Sequence, residues 1–564
     1  MAEPHRSDTS FRDEAAQQAL GAVLGANPFV RLDPTELLAT AGRVGMAAAR
    51  PGLLARHARL LGRELAAIAA GRSEVRPGRG DRRFSDTAWT EMPLYRRLMQ
   101  GYLAASSQVQ RLIDDVPVDD RERARARFLA TIVTEALAPT NLLAGNPAAL
   151  KRTFETGGAN LVRGVRHRIA DLLHNGGMPR QVDTRPFVLG KTVAISPGSV
   201  VHRNDQMELV QYRPTTERVR ARPIVIIPPQ INKFWVLDLA PGRSMVEHAT
   251  SKGLQVFVIS WRNPTPAERA WDLSTYVAAC KSAIEAAGAI TGSGEVNVLG
   301  ACAGGITTAC LLGHLAALGD ERVRSVTFLV TVLDSEAPST VGMFASERAV
   351  AASMRYSRRK GILDGESLAR IFAWLRPNDL VWNYWVNNYL LGNDPPPFDV
   401  LAWNADTTNL PAALHADFLS AFMSNALAKP GILEVCGTPI DLRRVGADAY
   451  VLAALTDHIT PWTANYGTLS LLGGTSEFVL SSSGHIQALV NPPGNPRARY
   501  LTNDHVPDTA EEWLKGASEH AGSWWDHWLG WLQARSGDEH SAPENLGSRH
   551  FPPLDAAPGR YVLG

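Results

Sequence analysis

Three side chains in the second half of the chain have the types and the order of a covalent acyl-transfer site. Cys302 stands in Val296-Asn297-Val298-Leu299-Gly300-Ala301-Cys302-Ala303-Gly304-Gly305, an apolar run and a Gly-x-Cys-x-Gly turn, followed from Ile306 to Leu315 by the apolar spacing of a helix. In such a strand-turn-helix the nucleophile sits on strained backbone, so the residues two before and two after it must be small, and here both are glycine. The N-H of Ala303 falls at the helix start, where the dipole favours thiolate and oxyanion alike. The competing reading is a glycine-rich turn around a buried structural thiol; the strand before and the helix after weigh against it.

A nucleophilic cysteine needs a base, and the base needs a group to orient it. Asp457 follows the apolar run 449–456 in Thr456-Asp457-His458-Ile459-Thr460-Pro461-Trp462, and His485 follows the run 477–482 in Ser483-Gly484-His485-Ile486. Asp334, at the end of the run 325–333, competes as the acid, and His458 competes as the base. Neighbours on a loop point in different directions, so Asp457 and His458 do not serve each other, and the pair kept is Asp457 with His485.

The elements that must carry these residues read as a mostly parallel sheet. Continuous apolar strands at 223–227, 254–260, 325–333, 449–456 and 477–482 alternate with helical stretches, one of them Ser244 to Lys252 stopped by Gly253. Nucleophile, acid and histidine in that chain order, each after a strand, match the α/β-hydrolase arrangement. The expected fold is α/β, an α/β-hydrolase core with a helical cap insertion at about 335–446 and an all-helical N-terminal region before it. The cap is crowded with Trp374, Trp382, Tyr384, Trp385 and Tyr389; most form its own core, and some line an apolar acyl channel that excludes water.

Upstream, residues 1–18 are polar and Phe187 to Ile195 and Met207 to Tyr212 alternate like strands. Helical spacing covers Asp33 to Gly71, Tyr95 to Leu112, Arg121 to Leu137 and Pro147 to Asn175. This divides the chain into a helical domain, 1–183, and a catalytic domain, 184–564. Leu53, Leu54, Leu60, Leu61, Leu65 and Ile68 form one face opposite Arg56, Arg59 and Arg63, which suits either packing on the domain or lying on a lipid-like surface.

Composition narrows the partners. Across 564 residues, Lys+Arg 57 and Asp+Glu 56 leave a formal charge of +1, which argues against a nucleic-acid binder. Four cysteines without CxxC spacing point to a reducing compartment, and no pattern calls for a metal or a cofactor. A polar N-terminus and the lack of a membrane-length apolar run point to the cytoplasm.

Several stretches resemble the polyhydroxyalkanoate synthases: Pro228-Pro229-Gln230-Ile231-Asn232-Lys233-Phe234, Ile259-Ser260-Trp261-Arg262-Asn263-Pro264, Gly300 to Gly305, Asn378-Asp379-Leu380-Val381-Trp382-Asn383-Tyr384-Trp385, Cys436-Gly437-Thr438-Pro439-Ile440-Asp441 and Gly484 to Pro493. The resemblance runs from about residue 90 to the C-terminus and is nearest to the class II enzymes, which act alone on medium-chain (R)-3-hydroxyacyl-CoA. It implies Cys302 as nucleophile, Asp457 as acid and His485 as base. It further implies a growing polyester chain as partner, a polymer granule surface, and a homodimer supported by the helical domain. A thiolate exchanging one thioester for another keeps the acyl group activated, which explains cysteine where serine would give a more stable ester. The oxyanion would meet the N-H of Ala303 and, by analogy, an N-H near Ile231 in the loop after strand 223–227. A thioesterase or polyester depolymerase on the same fold is the alternative, and a non-catalytic granule-coat protein is a third.

Overall fold

Short runs of β-branched residues bounded by turns are buried on both faces only if helices cover both sides of a sheet, and that is the arrangement found. The computed structural model describes residues 34–78, 81–336, 346–366, 377–457 and 459–564. Residues 1–18, Asp33, Trp374 and His458, all used above, lie outside them.

Ten strands form one sheet: β1 (Gly198–Arg203), β2 (Met207–Tyr212), β3 (Ile224–Ile227), β4 (Val256–Trp261), β5 (Val296–Ala301), β6 (Val323–Leu329), β7 (Asp448–Ala454), β8 (Ser476–Ser481), β9 (Arg499–Thr502) and β10 (Ser518–Ala521). They lie in the order β1-β2-β4-β3-β5-β6-β7-β8-β9-β10. Strands β4, β3, β5, β6, β7 and β8 pair in parallel, and antiparallel strands close both edges. Every residue of β2, β3, β4 and β5 is buried. The sheet thus carries the carboxyl ends of β5, β7 and β8 side by side but for β6, which is where a site can be assembled.

Two local expectations are corrected. Phe187 to Ile195 is not a strand: Gly190 and Ala194 have positive φ, and Gly190 N-H donates to Val193 O at 2.8 Å, so the alternation belongs to a turn. The edge strand is instead β1. The run 325–333 is strand only to Leu329: Val330 N-H still donates to Leu452 O at 2.8 Å, but Val330 turns to φ 44° and the chain departs after it, so Asp334 lies well past the strand end.

The described residues fall into two compact units, one drawn from Thr184–Ala369 and Pro397–Gly564, the other from Arg31–Asp183 and Arg370–Pro396. The second contains α1 (Pro34–Ala48), α2 (Pro51–Ala69), α3 (Pro93–Asp115), α4 (Asp120–Ala136), α5 (Pro147–Glu155) and α6 (Ala159–His174). The helical spacing of 33–71 is split by Pro51, and that of 147–175 by Gly157 and Gly158, both left-handed. Helix α2 buries His57 and Ile68 while Leu54, Leu60 and Leu65 stay exposed.

The aromatic stretch Asn378–Leu390 belongs to this helical unit and packs within it. Asn160 Nδ2 donates to Leu390 O at 2.7 Å, Gln181 Nε2 donates to Leu380 O at 2.9 Å, and Tyr389 Oη donates to the buried Asp171 at 2.8 Å. Arg168 lies over the rings of Trp385 and Tyr389. An added Cβ on Gly164 would meet the Tyr389 backbone, so glycine is required where helix and stretch touch. Helix α6 is consequently inverted: its buried face holds Asn160, Gly164 and Asp171, and its outward face holds Val162, Val165, Ile169, Leu172 and Leu173.

Candidate active site

The turn between β5 and α8 (Ala303–Leu318) holds Cys302 at φ 51°, ψ −121°, a conformation that side chains other than glycine rarely adopt. Its N-H donates to Leu329 O at 2.9 Å on the neighbouring strand, and its carbonyl accepts from Gly305 N-H at 2.9 Å at the helix start. Both flanking glycines are required by close approach. A Cβ on Gly300 would lie 2.7 Å from Gly305 Cα, and one on Gly304 would lie 2.5 Å from Pro228 O, so the helix start presses against the loop that follows β3.

Asp457 and His485 leave the carboxyl ends of the parallel neighbours β7 and β8, and the structure brings them together. Their loops are tied by Leu455 N-H to Ser481 O at 2.8 Å and Thr456 N-H to Ser483 O at 3.1 Å. His485 Nδ1 is 2.6 Å from Asp457 Oδ2, with side chains 3% and 0% exposed. The other carboxylate oxygen accepts from the N-H groups of Ile459 at 2.8 Å and Thr460 at 3.1 Å. Asp334 is elsewhere: its Oδ1 accepts from Asn425 Nδ2 at 2.8 Å and Glu336 N-H at 3.0 Å.

Electrostatics follow from this geometry. Burial works against a charged imidazole, but the Asp457 carboxylate outweighs it and the Cys302 side chain adds to the effect, so His485 is pushed up to about 10. Burial likewise raises Asp457, yet His485 and the bonds from Thr460 more than offset it and hold the carboxyl below its ordinary value. Among the described residues the buried Nε2 of His485 meets no partner in hydrogen-bonding geometry, and Cys302 is the side chain besides Asp457 that acts on the ring. Cys280 and Cys310 are fully buried, and burial pushes both thiols up; it also raises Cys436, whose Sγ is 3.4 Å from Ser274 O. Cys302 and Cys436 are both half-buried at positive φ, and of the two it is Cys302 whose side chain acts on His485.

Ile231 is buried in the loop after β3, and Ala303 occupies the first helical position. Neither N-H donates to an acceptor among the described residues. Sequence reasoning missed Thr460, whose hydroxyl donates to Asp457 Oδ2 at 2.6 Å and lies 3.3 Å from His485 Nδ1. Its signal was the Asp-x-x-Thr spacing, which lets a loop carboxylate take two backbone N-H groups and a hydroxyl at once. No group of three or more His, Cys, Asp or Glu that could hold a metal ion occurs among the described residues.

A parallel sheet with a strained strand-to-helix turn at Cys302 and a carboxylate-bound histidine on following strands is the arrangement of the α/β-hydrolase fold, and the family model described as "alpha/beta hydrolase fold" matches residues 223–492. A second model, "Poly-beta-hydroxybutyrate polymerase (PhaC) N-terminus", matches residues 80–249. The chain is 50% identical over 551 residues to poly(3-hydroxyalkanoate) polymerase 1 of Ectopseudomonas oleovorans, covering 98% of each. It is 49% identical to polymerase 2 of the same organism, covering 95% of this chain and 96% of that one. To the poly(3-hydroxyalkanoate) polymerase subunit PhaC of Cupriavidus necator it is 41% identical, covering 88% and 85%. The chain belongs to the poly(3-hydroxyalkanoate) polymerase family, a family of acyltransferases.

Proposed function

We propose that the protein polymerises (R)-3-hydroxyacyl-CoA, of medium chain length, into polyester through an acyl group carried on Cys302. The observation that supports this most is the buried His485–Asp457 pair at 2.6 Å, in a chain of this family, with Nε2 unpaired among the described residues and Cys302 acting on the imidazole.

Transfer of the Cys302 proton to His485 gives a thiolate beside an imidazolium. The thiolate attacks the thioester carbonyl, and the oxyanion takes the N-H groups of Ala303 and Ile231. The carbon–sulfur bond to CoA then breaks, and His485 gives its proton to the departing CoA thiolate. Now neutral, His485 accepts the proton of the 3-hydroxyl of the next unit, whose oxygen attacks the Cys302 thioester. An ester bond forms, the Cys302 thiolate returns, and the proton again rests on His485. Asp457 holds Nδ1 throughout, fixing the tautomer that leaves Nε2 for the reacting groups.

The product dictates where the enzyme works. A medium-chain polyester is insoluble in water, so an enzyme attached to it is carried to a polymer particle in the cytoplasm. Helix α6 supports a direct contact with that particle: Val162, Val165, Ile169, Leu172 and Leu173 face outward, with the exposed Arg166 beside them. No helix among the described residues is long and apolar enough to cross a membrane.

Purified protein supplied with (R)-3-hydroxyacyl-CoA tests the reading. Release of CoA with polyester as the acyl product is expected; CoA release with free 3-hydroxy acid alone would make the protein a thioesterase.

A further inference from the structure

The loop that carries Ile231 is fastened to a distant part of the chain. Residues 403–408 lie on the limb by which the insertion returns to the catalytic unit. Trp403 Nε1 donates to Lys233 O at 2.7 Å, and Lys233 Nζ is 2.7 Å from Asp406 Oδ1. Trp235 Nε1 donates to Asp406 Oδ2 at 3.0 Å, and Asn232 and Thr407 pair as an antiparallel bridge. Thr408 is buried and grips the loop twice: its N-H donates to Ile231 O at 3.1 Å and its hydroxyl donates to Gln230 O at 2.7 Å.

The second of these bonds bears on chemistry. Gln230 C=O and Ile231 N-H are the two ends of one peptide unit, and a trans peptide is planar with its carbonyl and its N-H pointing in opposite directions. A donor fixed on Gln230 O therefore fixes the direction of Ile231 N-H. It also polarises the unit, because a carbonyl that accepts a hydrogen bond makes the N-H of the same peptide a stronger donor. Gln230 itself is anchored from the other side, since its Nε2 donates to Thr307 Oγ1 at 2.9 Å on α8.

We propose that Thr408 is a positioning residue for the reaction: its hydroxyl aims and strengthens the Ile231 N-H that receives the thioester oxyanion. The proposal rests on the oxyanion role assigned to Ile231 above. It ties the insertion to the active site, because any displacement of 403–408 swings that N-H away. Gly304 pressed against Pro228, and Trp261 Nε1 donating to Pro228 O at 2.9 Å, hold the near end of the same loop, so the Thr408 end decides the peptide's orientation.

The test compares two reactions of one thiol. Acylation of Cys302 by (R)-3-hydroxyacyl-CoA, read as the single-turnover burst of CoA, needs the oxyanion donors; alkylation of Cys302 by iodoacetamide, read on its peptide by mass, needs only the thiolate. Thr408→Val keeps the shape and removes the hydroxyl. It is expected to slow acylation about tenfold, part of the roughly hundred- to thousand-fold that losing an oxyanion donor costs. KM should move less than twofold, alkylation should hold at the wild-type rate, and Thr408→Ser should restore acylation. Unchanged acylation in Thr408→Val overturns the proposal, and so does an equal fall in acylation and alkylation, which marks general disruption. Cys302→Ala in the same assay separates the two readings: CoA release by that variant sinks the proposed function itself, whereas normal wild-type acylation unaffected at Thr408 sinks only this inference.

Discussion

The imidazole of His485 is buried and yet its charged form is favoured, chiefly by the Asp457 carboxylate, with the Cys302 side chain adding to the effect. Asparagine in place of Asp457 keeps the size but removes the charge, leaving burial as the dominant influence. His485 in Asp457→Asn should then titrate below its ordinary value of 6.5 instead of near 10, read by NMR of labelled histidine. A group raised in the folded state contributes stability that is complete below 6.5 and fades as pH climbs to about 10. Asp457, lowered in the folded state, contributes above 3.8 and loses that contribution as pH falls. The melting temperature of wild type should therefore exceed that of Asp457→Asn most between these two values, and the gap should narrow toward pH 10. Turnover should drop on the order of a hundredfold or more in Asp457→Asn and stay near normal in Asp334→Asn. An equal loss in both would undo the assignment of the acid. Strand-turn context and chain order singled out Cys302, Asp457 and His485 in the sequence, and the structure brings the last two together. Thr460 was missed as a loop residue, and Thr408 was beyond reach, because nothing local in Thr407-Thr408 announces a partner at Gln230.

At the scale of elements, what could be read was whatever burial writes into consecutive residues. Strands β3, β4 and β5 are buried throughout and apolar but for Ser260 and Asn297, because both faces are covered, and they lie within a residue or two of the runs seen in the sequence. Elements set by backbone conformation were harder to read. The turn at Gly190 and Ala194 imitates strand alternation over Phe187 to Ile195, and Val330 ends β6 at an ordinary branched residue without any breaker. Helix α6 shows a deeper limit. Its amphipathic pattern is plain, but a pattern does not say which face is inside, and here the polar face is buried by hydrogen bonds to the stretch Asn378–Leu390, over two hundred residues away. The cap aromatics were legible as core. That Trp385 and Tyr389 serve the helical unit was not, since only contact with Asn141 and Asp171 reveals it.

Under the proposed function the whole molecule handles a product that water rejects, and among the described helices α6 offers an exposed apolar face to it. Val165 is 58% exposed and Leu173 is 71% exposed, far more than the leucines of α2 at 41–43%. Val165→Glu with Ile169→Glu should lower the fraction of enzyme in the granule layer of polymer-making cells several-fold, with acylation of Cys302 unchanged. Removal of residues 1–71 should cost less than this; the reverse ranking would move the contact to α2. The central claim, that the acyl chain is carried on Cys302, is tested most directly by mass. After brief exposure to one equivalent of (R)-3-hydroxyacyl-CoA and acid quenching, the peptide containing Cys302 should gain the mass of one 3-hydroxyacyl group, and Cys302→Ala should neither gain it nor release CoA. The same mass on the peptide of Cys280, Cys310 or Cys436, or CoA release from Cys302→Ala, would contradict the account.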